Sequence, residues 1–271
     1  MQSVPRPRYS GKHRKYTPAA LLPYKLMAKK SSSRTRPPLI VITGASQGLG
    51  AALALAYARA FPGAKLALVA RNARNLDATA TRCETLGSAA HGFVCDVTDM
   101  AAVARLPAAV AKVFRRPPDI VVNNAGRFTP ASFAATTPAI FDDMLGSNLR
   151  SAYLVTRAFL PAFAERKSGD FVFISSISGK IVLPNCAAYT VAKHGLTGLA
   201  AALRAETKGT GLRVLCIHPG ATDTAAWDGS GVDRSRLMRP ASVAEAVVAL
   251  TSLSSHTVAE DITLRPSGGD I

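Results

Sequence analysis

Tyr189-Thr190-Val191-Ala192-Lys193 sets a phenol and an ammonium four residues apart, in a stretch from Tyr189 to about Thr207 that reads as a helix. At that spacing the two side chains share one helix face. A phenol titrates near about 10, too high to exchange protons readily at neutral pH. A neighbouring cation stabilises its anion and brings the value down. The pair therefore makes a proton donor to a carbonyl oxygen, or an acceptor from an alcohol. The spacing is common by chance and says little alone. Ser176 stands 13 residues before Tyr189, in Ile174-Ser175-Ser176-Ile177-Ser178-Gly179, where an apolar strand ends. Its hydroxyl is of the type that hydrogen-bonds a substrate oxygen. Ser175 and Ser178 offer the same group, and spacing alone selects Ser176. The absence of a GxSxG elbow makes a serine hydrolase the poorer reading.

A second group of residues could hold phosphate. Thr43-Gly44-Ala45-Ser46-Gln47-Gly48-Leu49-Gly50 follows the apolar run Leu39–Thr43 and opens the Ala/Leu-rich stretch 48–61. Glycines let the backbone turn tightly and approach a pyrophosphate, and a helix N-terminus presents N–H groups to it. The spacing is GxxxGxG and the loop lacks the lysine of a Walker P-loop. A purely structural turn is the alternative; position at the first strand of an alternating body favours the nucleotide. The second strand ends Val69-Ala70-Arg71-Asn72, and no acid precedes Asp77. An NAD site wants an acid there for the ribose 2′-hydroxyl. Arg71 instead offers a planar fork for a 2′-phosphate, which favours NADP(H), against a solvated surface arginine. Asn123-Asn124-Ala125-Gly126 ends a fourth strand, where asparagines can fix the loops around a cofactor. Asn148 falls inside a long helix expected over 138–166. Mid-helix asparagine is mildly unfavourable, so either it has a role or it is an exposed polar residue.

The elements needed to position these residues alternate along the chain. Apolar runs at 39–43, 65–70, 92–95, 120–122, 171–174, 213–217 and 262–264 read as strands. Helices are expected over 48–61, 73–86, 100–114, 138–166, 189–207 and 242–253, with Thr137 as N-cap and Pro138 in the first turn of the long one. Continuous apolar strands separated by helices imply a doubly wound α/β fold with a parallel sheet buried on both faces, in one domain.

Composition narrows the function further. The 271 residues carry 33 basic and 17 acidic side chains, a net charge of +16. Residues 1–37 hold ten of the basic residues and no acid, so the remainder carries 23 basic against 17 acidic, or +6. The basic character belongs mostly to this Pro- and Ser-rich segment. It reads as a disordered extension, with a cleaved transit peptide, a start at Met27 and an electrostatic contact with nucleic acid or anionic lipid as alternatives. No interleaving of aromatic and basic residues supports nucleic acid, so no nucleic-acid partner is expected. No apolar run approaches the roughly 20 residues of a membrane span. The four cysteines lie far apart and the five histidines lack metal-ligand spacing, which argues against a disulfide scaffold or a metal site. A reducing compartment, the cytoplasm, is expected, or an organelle if the N-terminus is a transit peptide.

Taken together, these motifs resemble the short-chain dehydrogenase/reductase family over about residues 38–253. The resemblance rests on Thr43-Gly44-xxx-Gly48-x-Gly50, Asp96-Val97, Asn123-Asn124-Ala125-Gly126, Asn148, Ser176, Tyr189-xxx-Lys193 and Pro219-Gly220-xxx-Thr224, in family order. It implies a Rossmann-like fold with about seven parallel strands, a catalytic domain over 38–271 and a small carbonyl or alcohol substrate. It implies Tyr189 as general acid/base, Lys193 lowering the tyrosine pKa and holding the nicotinamide ribose, Ser176 orienting the substrate oxygen, and Asn148 supporting a water-linked relay. The cofactor would be lined by Gly44, Ala45, Ser46, Gln47, Gly48, Leu49 and Gly50. Asp96 and Val97 would lie at the adenine, Asn124, Ala125 and Gly126 along the cleft, and Pro219, Gly220, Thr222 and Thr224 at the nicotinamide. Ala70 followed by Arg71 matches the NADP(H)-preferring pattern; Gln47 replaces the basic residue many such relatives carry. A lid is expected over 222–240, with Trp227, Leu237 and Met238 either touching substrate or packing the lid. A homodimer or homotetramer through a helix-pair interface is implied, although the tail 260–271 departs from the family's closing GG segment. An NADP(H)-binding redox sensor with little turnover is the second reading.

Overall fold

The computed structural model describes residues 36–269, so the segment read as an extension lies outside them apart from Arg36 and Pro37. Seven strands form one parallel sheet: β1 (Leu39–Thr43), β2 (Lys65–Ala70), β3 (Ala89–Val94), β4 (Ile120–Asn123), β5 (Gly169–Ile174), β6 (Leu212–Pro219) and β7 (Asp261–Leu264). Their order is β3-β2-β1-β4-β5-β6-β7. Ile40 pairs with Leu66 on one side and Ile120 on the other. The chain thus reverses direction across the sheet between β1 and β4, and doubly wound folds open a crevice at the strand C-termini of such a switch point.

Strand side chains alternate between faces. Ile40 and Ile42 join Leu53, Tyr57, Leu66, Leu68 and Val247 in one apolar layer. Leu39 and Val41 join Val69, Phe159, Phe163, Phe171 and Leu196 in the other. The helices are α1 (Gly48–Ala60), α2 (Ala73–Glu84), α3 (Met100–Phe114), α4 (Pro138–Leu145), α5 (Ser151–Arg166), α6 (Ala187–Thr207) and α7 (Pro240–Thr251). Asn72 caps α2 through Asn75 N at 3.0 Å, and Asp99 caps α3 through Ala101 N at 2.8 Å. Buried Asp170 holds Arg213 through two bonds of 2.7 Å, locking β5 to β6.

Two expectations need correction. The stretch 138–166 is not one regular helix: Thr137 caps its start, with Ile140 N at 3.3 Å, but a π-helical turn, Gly146–Arg150, separates α4 from α5. The extra residue per turn redirects Asn148, which is 1% exposed and not the solvated polar residue of the alternative reading. Such turns recur at functional sites. β3 and α6 also begin earlier than expected, at Ala89 and Ala187.

Candidate active site

The loop after β1 is built for close backbone approach. Gly44 and Gly48 have φ of +68° and +54°, a region L side chains rarely adopt. Gly50 sits so close to the loop that an added Cβ would lie 2.1 Å from the Gly44 carbonyl oxygen. α1 begins behind Gln47 with no side-chain cap and no acid in its first turn, leaving its N–H groups and positive dipole to an anion. Thr43 ties this loop to β4: its Oγ1 donates to Val122 O at 3.3 Å and accepts from Asn124 N and Ala125 N, both at 3.0 Å. Asn124 Nδ2 returns a bond to Thr43 O at 2.9 Å. Asn124 therefore fixes the loop, whereas Asn123 turns into the fold and donates to Thr156 Oγ1 at 2.9 Å. Thr224 Cγ2 lies 3.6 Å from the Cβ position of Gly48, so the segment after β6 covers the loop.

Arg71, just beyond β2, has a side chain 70% exposed and lies 3.8 Å from Asp96, which follows β3. Asp96 accepts from Thr98 N and Thr98 Oγ1, and these bonds, aided by Arg71, hold its carboxyl below the usual range. A long ion pair at an exposed arginine leaves the guanidinium able to turn to a phosphate. A groove of about 480 Å³ runs from Ser46, Gln47 and Gly48 between α1 and α2 to Arg59 and Arg82. Ser176, Tyr189 and Lys193 do not line it.

At the C-terminal end of β5 the three serines separate. Ser175 Oγ bonds to Lys193 O and Thr197 Oγ1, both at 3.3 Å, and is spent on α6. Ser178 is buried, and its N–H donates to Ser176 Oγ at 3.1 Å. Ser176 is left beside Tyr189, and the bond between their hydroxyls favours the phenolate. Burial nevertheless dominates and pushes the Tyr189 phenol up to about 12. Burial also pushes the Lys193 ammonium down to about 8. Lys193 Nζ sits 5.5 Å from the Tyr189 ring centroid and donates to Ile174 O at 3.0 Å. The lowering of the tyrosine expected from Lys193 is thus not expressed in this structure, where burial outweighs the Ser176 hydrogen bond. Phe128 packs edge-on against Tyr189, with centroids 5.0 Å apart.

Asn148 Nδ2 donates to Arg127 O at 2.9 Å and Met144 O at 3.1 Å, while its Oδ1 is buried without a partner. That oxygen lies 2.5 Å from where a Gly126 Cβ would stand, and Lys193 Nζ is 3.8 Å from the same point. Only glycine leaves room between them. The segment 222–240 closes on itself: Asp223 N donates to Met238 O at 2.8 Å, Met238 N donates to Ala221 O at 2.9 Å, and Arg234 pairs with Asp223 and Asp228. Leu237, 6% exposed, packs this segment, while Trp227 and Met238 stay half-buried. Gly220 N bonds to Leu264 O at 2.7 Å and Thr222 Oγ1 to Gly220 O at 2.9 Å, so both serve the β6 turn.

Sequence reasoning gave no role to Thr43, Phe128 or the His218–Asp261 pair behind Ser176. A hydroxyl immediately before the glycine loop was the available signal for Thr43. A histidine inside the apolar strand before Pro219-Gly220 was the signal for His218.

The family model for short chain dehydrogenases matches residues 38–234. The chain belongs to that family. It is 31% identical over 241 residues to a sepiapterin reductase from Chlorobaculum tepidum, covering 86% of this chain and 98% of the relative. It is 36% identical over 206 residues to a D-threitol dehydrogenase from Mycolicibacterium smegmatis, covering 74% and 77%. Among solved structures, an alcohol dehydrogenase from the archaeon Thermococcus sibiricus, complexed with 5-hydroxy-NADP, superposes with a TM-score of 0.79 at 27% identity, over 86% of this chain and 97% of that one. Other similar structures hold NADP or NADPH. Among the described residues no helix is long and apolar enough to cross a membrane.

Proposed function

We propose that the chain is an NADP(H)-dependent oxidoreductase interconverting a carbonyl compound and its alcohol, with residues 38–271 as the catalytic domain. The observation that carries the reading is the meeting of Ser176, Tyr189, Lys193 and Asn148 at the strand ends, next to a glycine loop and an uncapped helix. The residues fit the cofactor: a Cβ at Gly50 or Gly126 would fill the cradle, and Arg71 stands where a 2′-phosphate partner is needed. Ser46, Gln47 and Gly48 with the α1 N-terminus would hold the pyrophosphate, Arg71 the 2′-phosphate, Asp96 and Val97 the adenine, Asn124 to Gly126 the cleft, and Pro219 to Thr224 the nicotinamide end. When bound, the reduced nicotinamide supplies the hydride.

The chain's own groups do the rest. Tyr189 hands its phenolic proton to the substrate oxygen in reduction and recovers it in oxidation. A phenol raised to about 12 stays protonated across the neutral range, which suits the donor role. The Ser176 hydroxyl donates to the same oxygen and steadies charge as it develops. A neutral Lys193 would give the phenolate left by proton transfer no countercharge, so the ammonium form is the active one. The orphaned Asn148 Oδ1 and Lys193 Nζ flank one small space at Gly126, which suits a proton path behind the lysine. The names of the relatives diverge between a pterin reductase and a polyol dehydrogenase, so the substrate class stays at carbonyl and alcohol.

Loss of NADPH absorbance across aldehydes, ketones, keto esters and quinones tests the reading; no turnover on any class contradicts it. Arg71→Ala should remove one charge-assisted bidentate contact, about 1.5–3 kcal/mol, and so weaken NADPH roughly tenfold to a hundredfold while leaving NADH nearly unchanged. Equal losses in a fluorescence titration would end the 2′-phosphate assignment. The pH dependence follows from Lys193. Its ammonium is present below about 8 and lost as pH rises through that value, so kcat/KM for NADPH, which reports the free enzyme, should fall there. Lys193→Arg stays charged to beyond about 12 and should carry the falling limb upward; a limb that does not move belongs to another group.

A further inference from the structure

Ser176 is held from behind by its own backbone. Its carbonyl oxygen accepts from Gly179 N at 2.9 Å and lies 3.2 Å from His218 Nδ1. His218 is fully buried in β6, and its Nε2 lies 3.0 Å from Asp261 Oδ1 at the start of β7. A backbone carbonyl has no hydrogen to give, so Nδ1 is the donor there. The other carboxylate oxygen of Asp261 accepts from Arg204 Nη1 at 3.1 Å. Burial raises the Asp261 carboxyl, but the His218 bond and the Arg204 charge outweigh it and hold the group below the ordinary range. An ionised carboxylate only accepts, so Nε2 donates as well. A ring that donates from both nitrogens is an imidazolium.

We propose that His218 is a positioning residue: as an imidazolium it links Asp261 of the last strand to the Ser176 carbonyl and fixes the turn that aims the Ser176 hydroxyl. The proposal rests on the reading of Ser176 as the anchor of the substrate oxygen. Neutral imidazole has one N–H, so loss of a single proton breaks one of the two links. The charged groups around the His218–Asp261 pair are Glu260, just before β7, Arg204 and Lys193 on α6, and Lys180 beyond the Ser176 turn. Cys216 on β6 is a neutral thiol, pushed up to about 12 by burial. Cys216, His218 and Asp261 bring metal-ligating atom types within 4.8 Å of one another. Both Asp261 oxygens already accept from His218 and Arg204, so the protein's own charges satisfy the cluster.

The direct test is the ¹⁵N spectrum of histidine-labelled full-length protein, with the His218→Gln sample assigning the His218 signals. Both ring nitrogens protonated at neutral pH is the expected result; one bare nitrogen overturns the proposal. Turnover supplies the second arm, using the carbonyl compound of the panel that is reduced fastest. Asparagine places its amide near the Nδ1 position and glutamine near Nε2. His218→Gln should lower kcat about tenfold through misplacement of the hydroxyl, with NADPH affinity within about twofold, and His218→Asn should restore most of kcat. Wild-type kcat in His218→Gln overturns the proposal. Ser176→Ala in the same assay separates the two ideas. If it leaves kcat intact, the anchoring reading fails; if it abolishes kcat while His218→Gln does not, only the positioning role fails. Should the variants not fold, the wild-type spectrum still decides.

Discussion

The Tyr189→Phe protein should bind NADPH as tightly as the wild type and lose about 10²–10⁴-fold in kcat. The phenol stands beside Ser176 and near Lys193, and phenylalanine removes its oxygen while keeping the ring that packs on Phe128 at 5.0 Å. Folding and cofactor binding should therefore survive, which makes the loss chemical and not structural. The reduction in kcat and in kcat/KM for the carbonyl compound should match, since the proton is transferred only in the transition state. Fluorescence titration of NADPH beside steady-state turnover checks both halves. Turnover near the wild-type level would remove Tyr189 as the acid.

Gly50→Ala should cost about 1–3 kcal/mol of stability, the usual range for forcing an atom into a packed position, and should abolish NADPH binding. The added Cβ would stand 2.1 Å from Gly44 O and 2.7 Å from Asn124 Nδ2. The first contact is backbone and cannot swing aside. Relief requires moving the loop or the α1 N-terminus, and these are the groups that would carry the pyrophosphate. Asn124 also loses its place against Thr43 O, so β4 and the loop separate together. Denaturant unfolding and NADPH titration on the same sample check the outcome; intact affinity would mean that the loop does not hold the phosphates.

The strands were legible because a parallel sheet covered on both faces leaves an unbroken apolar run in the sequence, as in Leu39–Thr43 and Phe171–Ile174. The glycine loop was legible because its backbone geometry admits few other residues. Asn148 was visible only as an oddity. A π turn arises from one extra residue in a helix, which leaves no mark on a period of 3.6, so neither the break nor the burial of Asn148 could be read. The direction of Lys193 was hidden for another reason: helical spacing puts it on the face of Tyr189, but the acceptor it finds, Ile174 O, comes from a strand 19 residues earlier. Charge proximity alone predicted a lowered phenol, whereas the depth of the site, invisible in sequence, raised it. His218 and Asp261 meet through the pairing of β6 with β7, across 43 residues, and nothing local in either segment announces that contact. Arg71 stands apart, since the lack of any acid before Asp77 carried its reading by elimination.

Direct transfer of hydrogen from nicotinamide to a carbonyl carbon, beside Tyr189, is the centre of the account. NADPH carrying deuterium at both nicotinamide C4 positions, incubated with the wild-type protein and a ketone it reduces, tests this in one product analysis by mass spectrometry. One deuterium on the carbinol carbon is the predicted result, with about 10²–10⁴-fold less labelled alcohol from the Tyr189→Phe protein over the same interval. Oxidation of the dinucleotide without labelled alcohol would contradict it.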